Sequence, residues 1–336
     1  MRKKYIILFL VIFLFGIKGS TKEYIAYGEK DKIVIVDFKG KIIKQIKLPQ
    51  KIGTGGFKIE KDEICFIGED KRIYWYDLKK RKIKESISGP FFAKSKVLKN
   101  LGLYPDGKNI LWKWEGEKLS LWDCKKIKGK RYVLLRSVSN KVMYKKEESE
   151  KWKRYRECDS PIVYVDILIK DGKIIKRWLL GIAEYLDDVK ILDEDKLIYT
   201  ELDSLSIYDL NDNKFYDIGS GCKDLFIKPC PKKIVSFFIE VIREEKIYLS
   251  YNSDDRFLKI ISMKKEDLLK KRWKTKHFYY SEDTKWIGQR AIFDIKKNYI
   301  LFGDNQNRIG IYDIKTGKEW YIGTSESNAQ FYEEDN

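Results

Sequence analysis

Histidine is nearly missing: 336 residues hold one, His277. That scarcity excludes a zinc site built from several imidazoles and leaves any Ser-His-Asp or Cys-His arrangement a single candidate base. The setting of His277, KTKHFYYSED, predicts a strand and a structural role. The five cysteines, Cys65, Cys124, Cys158, Cys222 and Cys230, show no C-x-x-C spacing of a metal or redox site. Cys65 stands in an apolar segment and reads as a small buried hydrophobe. Cys222 and Cys230 flank one expected strand and are the pair an oxidising compartment could join. Prolines number six, and no Pro/Ser-rich linker divides the chain, so a single domain is expected over residues 21–336.

Complete ligand motifs are equally scarce. GTGG (53–56) lacks the following Lys-Ser/Thr of a phosphate loop and reads as a connection between repeated units. DLNDNK, Asp209 to Lys214, starts like a calcium loop but has Lys214 where that loop needs glycine, and reads as a turn. SEDTKW, Ser281 to Trp286, lacks the glycine of a sialidase-type Asp-box and also reads as a turn. No catalytic residue, cofactor or metal ligand is assigned.

Long apolar runs are limited to IILFLVIFLFGI, residues 6–17, which is short of the roughly 20 residues a spanning helix needs. MRKKY precedes it and Gly19 and Ser20 follow. Positive, then apolar, then small is the layout of a signal peptide, expected over residues 1–20. The mature chain is then expected to begin near Lys22, to be periplasmic or secreted, and to have no transmembrane span. An uncleaved membrane anchor is the alternative.

What the chain does have is repetition. YIAYGEKDKIVIVDFKGK begins at Tyr24, ICFIGEDKRIYWYDLKKRK at Ile64 and YILFGDNQNRIGIYDIKTGK at Tyr299. Each is an apolar strand, a polar break, a second apolar strand, an Asp and a basic turn. The apolar-Asp marker stands at Val36-Asp37, Tyr76-Asp77, Trp122-Asp123, Val165-Asp166, Tyr208-Asp209 and Tyr312-Asp313. Its spacing is that of propeller blades, roughly 40–50 residues. A wider last gap leaves room for a degenerate unit at Arg256 to Lys265, with Ser262 in place of Asp. Gly28, Gly68, Trp114 and Thr200 each stand nine residues before their Asp, as a fixed hairpin register requires. A second strand-turn-strand pattern precedes the markers in LYPDGKNILW, FKIEKDEICF, VKILDEDKLIYT, FIKPCPKKIVSFF and IFDIKKNYILF.

These features predict an all-β fold, a β-propeller of about seven four-stranded blades, with six or eight as alternatives. The missing first strand of the first unit is expected from Asn328 to Glu334, closing the ring without a free edge. Lys145 to Asp159 reads as a charged insertion, and Lys264 to Lys276 as a short helix using Leu268, Leu269 and Trp273.

The PDGK turn before an apolar strand (Pro105 to Lys108) is similar to the repeats of bacterial WD-like propellers, including the Tol-system propeller. YDIKTGK, Tyr312 to Lys318, resembles the YVTN and WD-repeat groups. The resemblance is at the level of blades and spans Tyr24 to Gly323. It implies a binding module or an envelope-assembly factor. The histidine network of eukaryotic WD repeats cannot recur here.

Lys and Arg total 69 against 51 Asp and Glu, a net charge of +18. Basic runs at Lys79, Lys80, Arg81 and Lys82 and at Lys125, Lys126 and Lys128 fall after markers of successive units. They are expected to share one rim and to attract a protein partner or an anionic polysaccharide or lipid surface. Nucleic acid is not expected for an exported protein. The functional expectation is a non-catalytic binding or scaffold module; a secreted polysaccharide lyase or hydrolase is the alternative.

Overall fold

The structure is a computed structural model that describes residues 22–87, 96–98, 112–114, 118–139, 142–143, 163–182, 188–201, 204–220, 234–243, 246–253, 258–269, 281–286, 291–325 and 327–334. The signal segment, His277, Cys158, Cys222, Cys230, the PDGK turn and the insertion at 145–159 lie outside the described residues.

The chain is all-β and forms a propeller. Sheet 1 contains β1 (Lys22–Glu29), β2 (Lys32–Val36) and β3 (Ile42–Lys47). Sheet 2 contains β4 (Ile52–Glu60), β5 (Glu63–Gly68), β6 (Ile73–Asp77) and β7 (Lys82–Ile87). Next in sequence come β8 (Lys96–Leu98) and β9 (Trp112–Trp114), then β10 (Lys118–Ile127), β11 (Lys130–Ser139), β12 (Val142–Met143), β13 (Val163–Lys170) and β14 (Lys173–Ile182). Sheet 3 is β10-β11-β13-β14. Sheet 4 contains β15 (Asp188–Asp193), β16 (Lys196–Glu201), β17 (Ser204–Asp209) and β18 (Lys214–Ser220). Sheet 5 contains β19 (Ile234–Arg243), β20 (Lys246–Ser253), β21 (Leu258–Lys264) and β22 (Ser281–Trp286), with the short helix α1 (Lys265–Leu269) after β21. Sheet 6 contains β23 (Ala291–Lys296), β24 (Tyr299–Gly303), β25 (Arg308–Asp313) and β26 (Lys318–Thr324). The last strand, β27 (Ala329–Glu334), returns to sheet 1 and pairs antiparallel with β1, from Lys22↔Glu334 to Tyr27↔Ala329. The tail therefore supplies the strand that the first unit lacks, as the repeat predicted.

Among the described residues the innermost strands follow one another in a closed ring: β27, β4, β10, β15, β19, β23 and back to β27. That is six sheets, the lower of the alternatives to seven. The sequence overcounts because two of its markers fall in one sheet. Trp122-Asp123 lies on β10, an innermost strand, whereas Val165-Asp166 lies on β13 of the same sheet. The carboxylate that takes the turn position in sheet 3 is Asp171, which accepts the Arg131 amide at 2.9 Å. The other markers hold their expected place. Asp37, Asp77, Asp209 and Asp313 each accept turn amides after the third strand of their sheet. The degenerate unit is β21, with Ser262 inside it.

Three local expectations are corrected. GTGG is not a connection but an unpaired bulge inside β4, between Ile52↔Gly68 and Phe57↔Phe66. A Cβ on Gly55, at φ +93°, would come within 2.4 Å of the Leu121 amide nitrogen on β10, so only glycine allows this approach. SEDTKW is not a turn but the outermost strand of sheet 5, paired with β21. Ile234 to Phe238, expected as a second strand, belongs to the innermost strand of sheet 5.

Packing explains why the strands lack polar alternation. On β5, Ile64 and Phe66 face sheet 1, and Cys65 and Ile67 face sheet 3. On β11, Val133 and Leu135 face sheet 2, and Tyr132 and Leu134 face sheet 4. Successive side chains point to opposite faces, and a neighbouring sheet covers each face.

β8, β9 and β12 form a small three-stranded sheet, in the order β12-β9-β8. It joins two separate excursions, one between sheets 2 and 3 and one between β11 and β13. Because neighbouring strands are antiparallel, β7 ends, β10 begins, β11 ends and β13 begins at the end of the ring opposite the turns at 78–81 and 128–129.

Candidate functional site

Propeller sites form at the axial channel or on the faces. An innermost strand pairs on one side only. Its other edge faces the axis with free amides and carbonyls that need partners. In this ring, side chains of the neighbouring innermost strand supply them. The Asn328 side chain accepts the Phe57 amide at 2.9 Å and donates to the Phe57 carbonyl at 2.7 Å. Gln330 does the same for Ile59, at 2.9 Å both ways. Asp123 accepts the Ile191 amide at 2.9 Å, Asp188 the Ile239 amide at 2.8 Å, and Asp294 the Phe331 amide at 2.8 Å. Lys125 Nζ donates to the Ile191 carbonyl at 2.8 Å. Arg243 pairs with Asp294 and reaches the Phe331 carbonyl at 3.3 Å.

The same strands line a cavity on the axis with Lys58, Glu60, Lys125, Lys190, Glu240 and Asp294 among its walls. Its volume is ≈ 30 Å³, enough for about two waters. Burial raises the carboxyl of Glu60 to about 7, against the nearby Lys125, and raises that of Glu240 to about 7, against a bond from Ser250. Burial also lowers Lys125 to about 8. Charged side chains of opposite sign thus fill the axis. Among the described residues, no group of His, Cys, Asp and Glu is arranged to hold a metal ion.

A second buried charge lies behind this lining. Arg136 forks onto Asp166 through Nε–Oδ1 at 2.8 Å and a terminal nitrogen–Oδ2 at 2.9 Å. The two residues are 1% and 0% exposed. The Trp122 ring covers the guanidinium at 4.1 Å, and its Nε1 donates to Asp188 at 3.1 Å. The paired, bidentate geometry offsets the cost of burying both ions.

The sequence-predicted basic residues divide between these environments. Lys79, Lys80 and Arg81 form the β6–β7 turn, and Lys82 opens β7. Lys126 ends near the β10–β11 turn and Lys128 lies in it. These turns are not equivalent within their sheets, one joining the third and fourth strands and the other the first and second. Strand alternation nevertheless puts both on one face, the turn face. Lys125 is the exception, because its side chain enters the axis.

Several of these cations already have acidic partners. Lys79 pairs with Asp62 at 3.0 Å and Lys128 with Glu194 at 2.6 Å. Glu63 holds Lys84, Lys126 and Arg131 at 2.7, 2.9 and 3.2 Å. Burial opposes ionisation of Glu63, but these three bonds hold its pKa at about 2. Lys61, Lys130 and Lys173 add positive charge to the same face over sheets 2 and 3.

Sequence reasoning missed the axial lining. Its signal was a charged or polar residue between apolar ones on every innermost strand, at Lys58, Asp123, Lys190, Glu240, Asp294 and Gln330. Only Asp123 was singled out, as a turn marker.

No helix among the described residues is long and apolar enough to cross a membrane. No protein family matches the sequence, and no curated protein does. Among solved structures, the chain is similar to the computationally designed Ika8 protein, with TM-score 0.43, 9% identity, and 93% of each chain covered. It is also similar to BamB from Moraxella catarrhalis, with TM-score 0.33, 10% identity, and 93% of this chain and 75% of that chain covered. At these distances neither likeness carries a function to this chain, and the propeller rests on the ring of sheets itself.

Proposed function

We propose that this protein is a non-catalytic binding propeller that uses its turn face to engage an anionic partner, a protein surface or a component of the cell envelope. The observation that carries this reading is the cation excess over sheets 2 and 3. Lys80, Arg81 and Lys82 from one turn stand with Lys128, Lys130 and Lys173 from two others, and their fields add. Glu63 and Asp62 neutralise part of the cluster and stiffen it. Export through the signal-like segment would put this face in the envelope.

The test is retention on vesicles with anionic headgroups and on immobilised acidic protein, at rising salt. Binding is expected at low ionic strength and should fade as the Debye length shrinks from about 10 Å at 0.1 M to about 3 Å at 1 M. A variant with Lys80, Arg81, Lys82 and Lys128 changed to Ser should lose it. Parent and variant binding alike, or neither binding at low salt, would leave these lysines as solvated surface. Turnover of a polysaccharide would instead establish the enzyme reading.

A further inference from the structure

The joint between sheets 2 and 3 brings together two cysteines that lie far apart in sequence. Cys65 sits on β5 and Cys124 on β10, and these strands of adjacent sheets touch. Both residues belong to the apolar cluster between the sheets, with Ile67, Trp75, Val133 and Ile167. They are 0% and 1% exposed, and both are free thiols in this structure. We propose that Cys65 and Cys124 are a disulfide site that ties sheet 2 to sheet 3.

Three features support a covalent tie here. The two cysteines enter one packed cluster from two sheets instead of from one strand, so the bond would fix the joint. The connection between β7 and β10, residues 88–117, is the longest between consecutive sheets of the ring, so this joint closes the longest loop. The β4 bulge presses Gly55 onto Leu121 of β10 at the same joint, which holds the two sheets in one relative position.

The chemistry needs an oxidant, and a low-molecular-weight or protein disulfide supplies it. One cysteine thiolate attacks the oxidant's S–S bond, forming a mixed disulfide and releasing one thiolate. The second cysteine thiolate attacks the protein sulfur of that mixed disulfide, forming the Cys65–Cys124 bond and releasing the other thiolate. The two protons from the protein thiols end on the two released thiols, and the oxidant's disulfide is reduced by two electrons. Burial holds the Cys124 thiol well above the ordinary thiol range. Exchange is therefore slow in the closed ring, and the bond must form before the sheets pack.

The full chain, reduced and unfolded, is refolded in a glutathione redox buffer, blocked with N-ethylmaleimide and digested without reductant. One linked peptide pair containing Cys65 and Cys124 is expected in most molecules. The thermal midpoint should rise by about 5 °C over that of chain refolded in reductant. The midpoint of a Cys65→Ala/Cys124→Ala variant should not respond to the redox buffer. Recovery of both cysteines as alkylated thiols, or linkage of either to Cys158, Cys222 or Cys230, overturns the proposal. Occurrence of the bond in cells rests on the export reading, and subcellular fractionation separates the two. A cytoplasmic chain that links Cys65 to Cys124 on oxidative refolding overturns export alone.

Discussion

The innermost and outermost strands of this ring are both sheet edges, and they solve the same problem in opposite ways. At the axis, amides and carbonyls of one strand are bonded by Asn328, Gln330, Asp123, Asp188 and Asp294 of the neighbouring strand. At the rim, β3, β7, β14, β18 and β26 carry the exposed large hydrophobics Ile42, Ile83, Ile175, Phe215 and Tyr321, and each of these strands also carries lysine. Lysine on an exposed edge discourages pairing with another chain. An edge turned toward the axis is satisfied internally, by side chains of the next strand in the ring. An edge facing solvent needs only a guard. Mutations should therefore cost far more at the axis than at the rim.

The largest effect tests closure. Removing residues 328–336 takes away β27 and leaves the edges of β1 and β4 open. The expected loss is on the order of the whole stability of a domain, about 5–15 kcal/mol. Thermal melts followed by circular dichroism should lose their cooperative transition; a parental melt from the truncated chain would refute closure by the tail. Next comes Asp166→Ala, which strands the buried Arg136 charge. It should lower unfolding free energy by about 3–5 kcal/mol in urea titrations. The double change Asp166→Leu/Arg136→Met should recover much of that, because the uncompensated ion is gone.

A single axial bond is smaller. Gln330→Ala leaves the Ile59 amide and carbonyl without partners and should cost about 1–3 kcal/mol. Proton linkage sharpens the contrast further. The carboxyls of Glu60 and Glu240 are raised by burial to about 7 from 4.5. The folded state therefore binds protons more tightly, and their contribution is complete below pH 4.5 and lost as pH rises through 7. The urea midpoint should fall between pH 5 and pH 8. Glu60→Gln with Glu240→Gln should flatten that slope, and an equal slope in the variant would mean that other groups set it. Glu63 runs the other way, since its carboxyl is held at about 2 and its contribution fades only as pH falls from 4.5 toward 2. The smallest effect belongs to the rim. Ile42, 53% exposed on β3, should tolerate Ile42→Glu within about 0.5 kcal/mol, measured by the same titration.

The sequence carried the hairpins best. Gly28 to Asp37 and Gly68 to Asp77 are real two-strand registers, because a short turn writes its pairing into local spacing. Closure by the tail was also legible, because the first unit visibly lacked a strand. The blade number was not. An Asp that caps a neighbouring strand across the axis and an Asp that caps its own turn look alike in sequence, and Asp123 and Asp37 differ only in which strand they serve. The meeting of Cys65 with Cys124 was likewise hidden, since it depends on which sheets become neighbours. Of the basic residues, Lys79 and Lys128 share a face through strand alternation, not through the equivalence of turns that their places after successive markers suggested. The inward course of Lys125 was not legible, because it depends on the axis being narrow.

The return of β27 to sheet 1 also orders events in time. Of the sheets described, sheet 1 is begun first and completed last, because its innermost strand is made after every other strand described. Until then β1 has an open edge, and the amides of Phe57 and Ile59 wait for Asn328 and Gln330. Local hairpins can form in chain order, yet the contact that shuts the ring spans nearly the whole chain. Its rate is set by a long-range encounter instead of by any one sheet. A nascent chain is therefore an open arc, and it becomes a ring only when its last strand arrives.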